Sequence, residues 1–305
     1  MHLRIQPVKL TFKIGSKWSK PAYTGSLFRG LFGHSLKALC CMMDNTECKS
    51  CPLAQNCVYA RTFEPRATVF DKHNLQVPPP FIINAPPASQ PQEIQSGTYF
   101  SIEMNLFGDA INWLPIVLQA WQNIGNMPVS GKKNMFQLAQ VQVLNLEGNI
   151  ISQGLPSEIG TIGKGFIPTQ IPHSDHHELE LLTPLRLRQN KRNIDVDALN
   201  GEVFIKNLYR RYSLLNNNYA ESTEGLSRLP AFNYPLIQKN LEWTDWQRWS
   251  NRQMKSIKLG GLTGLLRLEG NLKPFNEALS YLPWINLGKS CSLGLGRIRL
   301  ISQSS

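Results

Sequence analysis

The chain predicts an α+β protein made of two tandem βαββαβ units, a duplicated ferredoxin-like fold with a cysteine-rich loop inserted after the first helix. Three observations carry this. The length of 305 residues suits two domains. Strand and helix patterns alternate in the same order in each half. A Gly/Pro/His-rich stretch over residues 150–177 separates the halves, giving an N-terminal domain over 1–165 and a C-terminal domain over 166–305.

The first unit opens with Leu3 to Phe12, whose apolar and polar residues roughly alternate as in a strand. Gly25 to Cys41 reads as a helix, with Leu27, Leu31, Leu36 and Leu39 as its apolar stripe and Gly30 and Gly33 weakening it. The Pro-rich stretch 77–91 reads as a long connection. Phe100, Ile102, Met104 and Leu106 mark a strand over Thr98 to Phe107. Asp109 is placed to cap a helix over Ala110 to Ile124, and Pro115 suits that helix's first turn. The turn Gly131-Lys132-Lys133 leads into a strand over Phe136 to Leu146.

In the second unit, Leu179 to Leu187 reads as a strand and Ala198 to Leu215 as a basic helix. Trp246 to Ile257 and Gly264 to Glu269 read as a strand pair, and Pro274 to Leu282 as a short helix. A glycine-rich loop, Gly288 to Gly296, precedes a closing strand over Arg297 to Ile301.

Composition narrows the function. Hydrophobic residues are 42% and charged residues 17%, which is a folded chain. The net charge of +11 points to an anionic partner, nucleic acid before a membrane surface. Between Trp246 and Arg299, nine basic residues face only Glu269 and Glu277. No stretch is apolar enough to span a bilayer, and no signal peptide opens the chain. A cytoplasmic protein with reduced thiols and no membrane partner is expected.

Cys41, Cys48, Cys51 and Cys57 form a C-x6-C-x2-C-x5-C run. One C-x2-C pair sets two thiolates on a tight turn, and the flanking cysteines complete a tetrahedral set, so a structural Zn2+ is the first reading. An iron–sulfur cluster and unligated or disulfide-linked thiols remain open, and Cys40 is an alternative to Cys41. In the glycine loop, Gly288, Ser290, Gly294 and Gly296 let backbone N–H groups approach a phosphate, and Lys289 and Arg297 add charge. The loop is neither a Walker motif nor a dinucleotide fingerprint, because its glycine spacing fits neither. A plain tight turn is the competing reading. Arg248, Arg252, Lys255 and Lys258 just upstream favour a polyanion groove, in which Trp246, Trp249 and Trp284 are candidates for base stacking.

Several stretches together resemble one family. They are Phe28-Arg-Gly-Leu-Phe-Gly-His34, the cysteine run ending Cys57-Val-Tyr59, Leu182-Thr-Pro-Leu-Arg-Leu187, Trp249-Ser-Asn-Arg-Gln253, Lys258-Leu-Gly-Gly261 and Asn286 through Gly296. The chain resembles the CRISPR-associated endoribonucleases of the RAMP superfamily that process precursor RNA, the Cas-six enzymes, in their cysteine-motif subfamily. The resemblance implies two RRM-like domains, CRISPR repeat RNA as partner and one cut within each repeat. It implies metal-independent attack of the ribose 2′-OH on the adjacent phosphate, leaving a 2′,3′-cyclic phosphate and a 5′-OH. No cofactor is then needed for catalysis, and other Cas proteins of an effector complex are further candidate partners. This chain departs from the pattern at Asn286, where that subfamily commonly has histidine.

Such chemistry needs a base, an acid and cations around the phosphorane-like charge. His34 lies in the first helix, and the resemblance implies a catalytic histidine in or just after that helix, so His34 is the first candidate acid or base, with Tyr23 and Lys37 as helpers. Arg29, Lys132, Lys133, Arg248, Arg252, Lys255, Lys258, Gly288, Lys289, Ser290, Gly294, Gly296 and Arg297 are the candidate RNA contacts. His173, His176 and His177 read as a solvated linker cluster, and His73 lies in a loop without supporting context. The rivals are an inactive relative that only holds repeat RNA and a structural subunit of the same superfamily.

Overall fold

The computed structural model describes residues 2–43, 47–66, 77–87, 91–129, 131–160, 163–189, 192–221, 233–250 and 255–301, with the side chains of 247–250 and 255–257 excepted. The chain divides into two compact units, Met1–Ile167 with Leu215–Thr223, and Pro168–Leu214 with Glu224–Ser305.

The first unit runs β1 (Ile5–Ile14), β2 (Trp18–Lys20), α1 (Gly25–Cys40), α2 (Val58–Phe63), β3 (Phe81–Asn84), β4 (Gln92–Ile94), β5 (Tyr99–Phe107), α3 (Leu114–Asn123), β6 (Phe136–Leu144) and β7 (Ile150–Gly154). Its main sheet has the order β3-β5-β1-β6-β7, all neighbours antiparallel, while β2 pairs with β4. Leaving out the added edge strand β7, the order is second, third, first, fourth strand, that of a ferredoxin-like unit.

β1 alternates as its sequence requires. Val8, Leu10, Phe12 and Ile14 enter the core, and Lys9, Thr11 and Lys13 take the other face. α1 supplies Phe28, Leu31, Phe32 and Leu36, and α3 supplies Val117, Leu118 and Trp121. Phe32 stacks on Trp121 with centroids 4.9 Å apart. Each such fully buried side chain contributes about 1.5–3 kcal/mol. The apolar stripe of α1 therefore lies nearer Phe28 and Phe32 than the leucine spacing predicts, and Leu39 is exposed. Gly33 has a packing reason, since a Cβ there would stand 2.9 Å from the Phe63 ring of α2.

Two expectations for this unit need correction. The Pro-rich connection contains the strand β3, whose four residues are all buried. The helix expected from Ala110 starts at Leu114, with Pro115 in its first turn and a 3-10 turn over Gly108–Trp113 before it. Asp109 contacts Arg61 rather than capping α3, whose N-cap is Trp113.

The second unit runs β8 (His176–Leu185), β9 (Arg188–Gln189), β10 (Arg192–Asn193), α4 (Gly201–Tyr219, of which the part up to Leu214 belongs to this unit), β11 (Leu236–Thr244), β12 (Gln247–Ser250), β13 (Lys255–Lys258), β14 (Gly261–Glu269), α5 (Asn276–Ile285) and β15 (Ile298–Ile301). The sheet order β11-β14-β8-β15 is again second, third, first, fourth. Both units are thus mixed α/β with antiparallel sheets. Leu179 and Leu181 of β8 and Leu266 and Leu268 of β14 are buried together with Phe204, Leu208, Leu279 and Leu282 of the helices. The Tyr212 hydroxyl of α4 donates to Glu277 Oε1 of α5 at 2.7 Å.

Here the expected strand pair is wrong in its first member. β14 pairs with β11, and the segment expected to be its partner folds on itself as the β12–β13 hairpin. His176 and His177 lie within β8 and not in a solvated linker.

Candidate functional site

In the first unit, α1 presents His34 and Lys37 to solvent and keeps Arg29 half-buried. The Arg29 guanidinium lies 5.0 Å from the centroid of Phe63 and the Lys37 ammonium 5.9 Å from that of Tyr59. Both cations thus lean on the aromatic residues of α2. Tyr23 is buried before α1 and is not a surface group. On α2, Arg61 contacts Asp109 and lies 4.6 Å from the Trp113 centroid. Burial pushes the Asp109 carboxyl up despite Arg61. Lys132 and Lys133 are exposed on a turn closed by reciprocal backbone bonds between Val129 and Lys132, and Lys132 Nζ donates to the Lys17 carbonyl at 3.2 Å.

The cysteine loop links α1 to α2. Cys41 caps the end of α1 and Cys57 the start of α2. Cys48 and Cys51 sit on consecutive turns, and Arg66 donates to the carbonyls of Cys48 and Lys49 at 2.7 Å each. All the cysteines are free thiols. Burial, Cys57 and Cys41 push the Cys40 thiol up. Burial, Glu64, Cys57 and Cys41 push up that of Cys48, against the pull of Lys37. Cys40, Cys41, Cys48 and Cys57 are therefore electrostatic neighbours. Among the described residues, no three His, Cys, Asp or Glu side chains are arranged to hold a metal ion.

The second unit builds the glycine loop against the end of β8. Asn286, fully buried at the end of α5 with φ of 50°, donates through Nδ2 to the Leu295 carbonyl at 3.1 Å. Gly288 forms a parallel bridge with Arg186, and the Lys289 N–H donates to the Arg186 carbonyl at 2.9 Å. Thr183 Oγ1 donates to the Gly294 carbonyl at 2.8 Å and accepts from the Arg297 N–H at 2.8 Å. Gly296 needs to be glycine. Its φ is +67°, and a Cβ would stand 1.8 Å from the Leu287 carbonyl oxygen. Ser290 adopts φ of 65° and starts a short 3-10 turn in which Cys291 is buried. Lys289 is exposed as a residue, yet partial burial of its ammonium and the charges of Arg188 and Arg210 lower its pKa.

Of the basic residues upstream, Arg248 and Lys255 lie in the β12–β13 hairpin with their side chains outside the description, and Lys258 is exposed at its end. Arg252 and His73 lie outside the described residues. Arg188 and Arg210, absent from the sequence-based candidates, are close enough for their charges to act on the Lys289 ammonium. The available signal was the basic spacing of Arg186 and Arg188 immediately after the β8 pattern.

Residues 3–161 match the model of the AF_1859_N N-terminal domain, and residues 179–298 match that of the CRISPR-associated endoribonuclease Cas6. No curated protein is significantly similar in sequence. Among solved structures, a chain of a partial Cas6-RT-Cas1–Cas2 complex matches at a TM-score of 0.57 with 11% identity over 99% of this chain. The present chain spans only 47% of that one. A Cas6 product complex matches at 0.56 with 15% identity, over 98% of this chain and 99% of the other. Thermus thermophilus Cas6 matches at 0.55 with 13% identity, over 99% and 100%. At these identities the structures establish a shared fold. The first family model covers just over half of the chain, so the chain belongs to the family that carries the AF_1859_N N-terminal domain, and its unit with the glycine loop matches the CRISPR-associated endoribonuclease Cas6.

Proposed function

We propose that the chain binds CRISPR repeat RNA and cuts it within each repeat without a metal ion, the ribose 2′-OH attacking the adjacent phosphate to leave a 2′,3′-cyclic phosphate and a 5′-OH. The observation that carries this reading is the Cas6 endoribonuclease match over residues 179–298, the part of the chain that holds the glycine loop and its basic neighbours. His34 serves as the acid or base, because it is exposed on α1 and an imidazole can both accept and donate a proton. Arg29 and Lys37 supply nearby positive charge, and Tyr23, being buried, supports α1 from within. Gly288 to Arg297 and the basic residues on the β12–β13 hairpin hold the RNA backbone.

His34→Ala should leave RNA affinity nearly intact and lower the single-turnover cleavage rate by roughly 10²–10⁴, the usual contribution of general acid–base catalysis. The assay contains EDTA, applied briefly. Cleavage by the variant at the wild-type rate would remove His34 from the mechanism.

A second reading, a protein that holds repeat RNA without cutting it, rests on Asn286. Its amide is fully buried and occupied with the Leu295 carbonyl, so this position shapes the loop and offers no acid or base to RNA. Wild-type protein that binds repeat RNA and never cuts it supports this reading. Assembly with other Cas proteins is a further proposal, suggested by the complex named for one structural relative.

The four-cysteine loop is proposed to hold one structural Zn2+ through Cys41, Cys48, Cys51 and Cys57. The support is their spacing and their place on the one loop that links α1 to α2. The thiols as placed do not converge on one point, so no catalytic step is assigned to the metal. Elemental analysis should find about one zinc per chain. Zinc-free protein with the fold intact would exclude it.

A further inference from the structure

We propose that Arg188, Arg210 and Lys289 form a phosphate clamp that receives the RNA backbone at the glycine-loop end of the second unit, and that the open face of this unit's sheet is not an RNA platform. The proposal rests on the RNA-binding reading above and specifies where and how that binding occurs.

Three separate elements build the clamp. The Lys289 N–H is fixed to the Arg186 carbonyl at 2.9 Å, which sets Lys289 beside the chain leading to Arg188. The Arg211 guanidinium donates to the Ile285 carbonyl at 3.1 and 3.2 Å, which ties α4 to the root of the same loop and brings Arg210 with it. All three side chains are exposed. Among the described residues no carboxylate pairs with any of them. Arg188 Nε instead donates to the amide oxygen of Asn193 at 3.2 Å.

The repulsion is felt within the cluster. Partial burial and the charges of Arg188 and Arg210 lower the pKa of the Lys289 ammonium. Gathering three cations without a counter-charge costs free energy in the free protein, and a phosphate group bound among them relieves it. Guanidinium groups also match phosphate in geometry, which favours a nucleic-acid backbone over a halide-like ion.

The open face of the sheet has the opposite character. Arg267 pairs with Glu178 at 3.8 Å, Arg299 contacts Glu180, and Gln238 donates to Glu269 at 2.9 Å. The cross-strand rows Gln238–Arg267–Glu178 and Asn240–Leu265–Glu180 bring these groups together, and no Phe, Tyr or Trp stands in them. A sheet that binds single-stranded RNA needs exposed rings for stacking and unpaired cations for phosphates. These rows offer neither.

The test uses a fluorescently labelled stem-loop RNA of mixed sequence, because a clamp on phosphates is indifferent to base identity. Affinity is measured over a range of salt for the wild type, Arg188→Gln, Arg210→Gln, their double variant, and the double variant Arg267→Gln/Arg299→Gln. Thermal melts confirm that each is folded. Each clamp substitution should flatten the log–log salt slope by about 0.7–0.9, and the clamp double variant should weaken binding roughly tenfold or more at low salt, while the sheet-face double variant behaves as wild type. Folded clamp variants with unchanged affinity and slope, or a sheet-face variant that loses both, would overturn the clamp while leaving RNA binding in place. A wild-type protein with no affinity for RNA would overturn the RNA-binding reading and the clamp together.

Discussion

His177 lies in β8 on the face that carries Leu179 and Leu181 into the core, with Leu268 opposite it on β14. Its Nε2 is buried and has no hydrogen-bond partner among the described residues. Burial, with a smaller contribution from His176, holds the imidazole below its ordinary value. The folded state therefore resists protonation, whereas the unfolded chain takes up a proton at about pH 6.5. As pH falls below about 6.5 the unfolded state binds more protons, and stability is lost until the lower folded value is reached; above that window His177 has no effect. Urea unfolding at pH 7.5 and 5.5 should show this loss in the wild type, and His177→Leu should reduce the difference. An equal pH dependence in both proteins would show that His177 titrates alike in the folded and unfolded chain. The same residue shows why a histidine cluster is a weak sign of a linker. Alternation from His177 through Leu179 to Leu181 was readable, but the preceding Gly/Pro composition outweighed it.

At the scale of elements, the glycine loop is held by backbone geometry that only particular residues permit. Gly296→Ala puts a methyl group into the Leu287 carbonyl at a positive φ, where the strain costs about 1–3 kcal/mol. The variant should unfold at lower urea and bind RNA more weakly. Gly160→Ala, with open space around it, should match the wild type in both measurements. A stable Gly296→Ala protein with full RNA affinity would mean that the loop tolerates another conformation. The long alternating or amphipathic elements, β1, β5, α1 and α4, were legible because burial on one face writes a period into the sequence. β3 was not, because its run Phe81-Ile82-Ile83-Asn84 is buried on both faces and is too short to show a period among prolines. β11 was not, because at the sheet edge its residues are mostly exposed and polar, and the tryptophans of the hairpin beyond it drew the strand assignment there. In the candidate site, Lys289 was legible from its glycine setting. Arg188 and Arg210 were not, since the hydrogen bonds that bring β9 and α4 to the loop join residues about 75 to 100 positions apart.

For the whole molecule, net charge overstates what an RNA can use. The sequence carries +11, the excess of 32 cations over 21 carboxylates, but that excess is spread over the whole chain and part of the cation total is paired in the folded protein. Arg4 and Lys164 share Glu221, Lys17 pairs with Glu93, Lys206 with Glu202, and Arg267 and Arg299 with the glutamates of β8. Charges farther from the RNA than a Debye length, about 8 Å at physiological salt, are screened. The salt dependence of binding therefore counts the cations at the phosphates and not the total. If all eleven excess charges were in contact, the log–log slope would lie near −8 to −10 at about 0.7–0.9 per phosphate. A clamp of three cations with a few further contacts from the loop and hairpin should instead give a slope of about −3 to −6. Fluorescence anisotropy over a salt series measures it directly. A slope at or beyond −8 would mean that RNA wraps a much larger basic surface than the glycine loop and its neighbours provide.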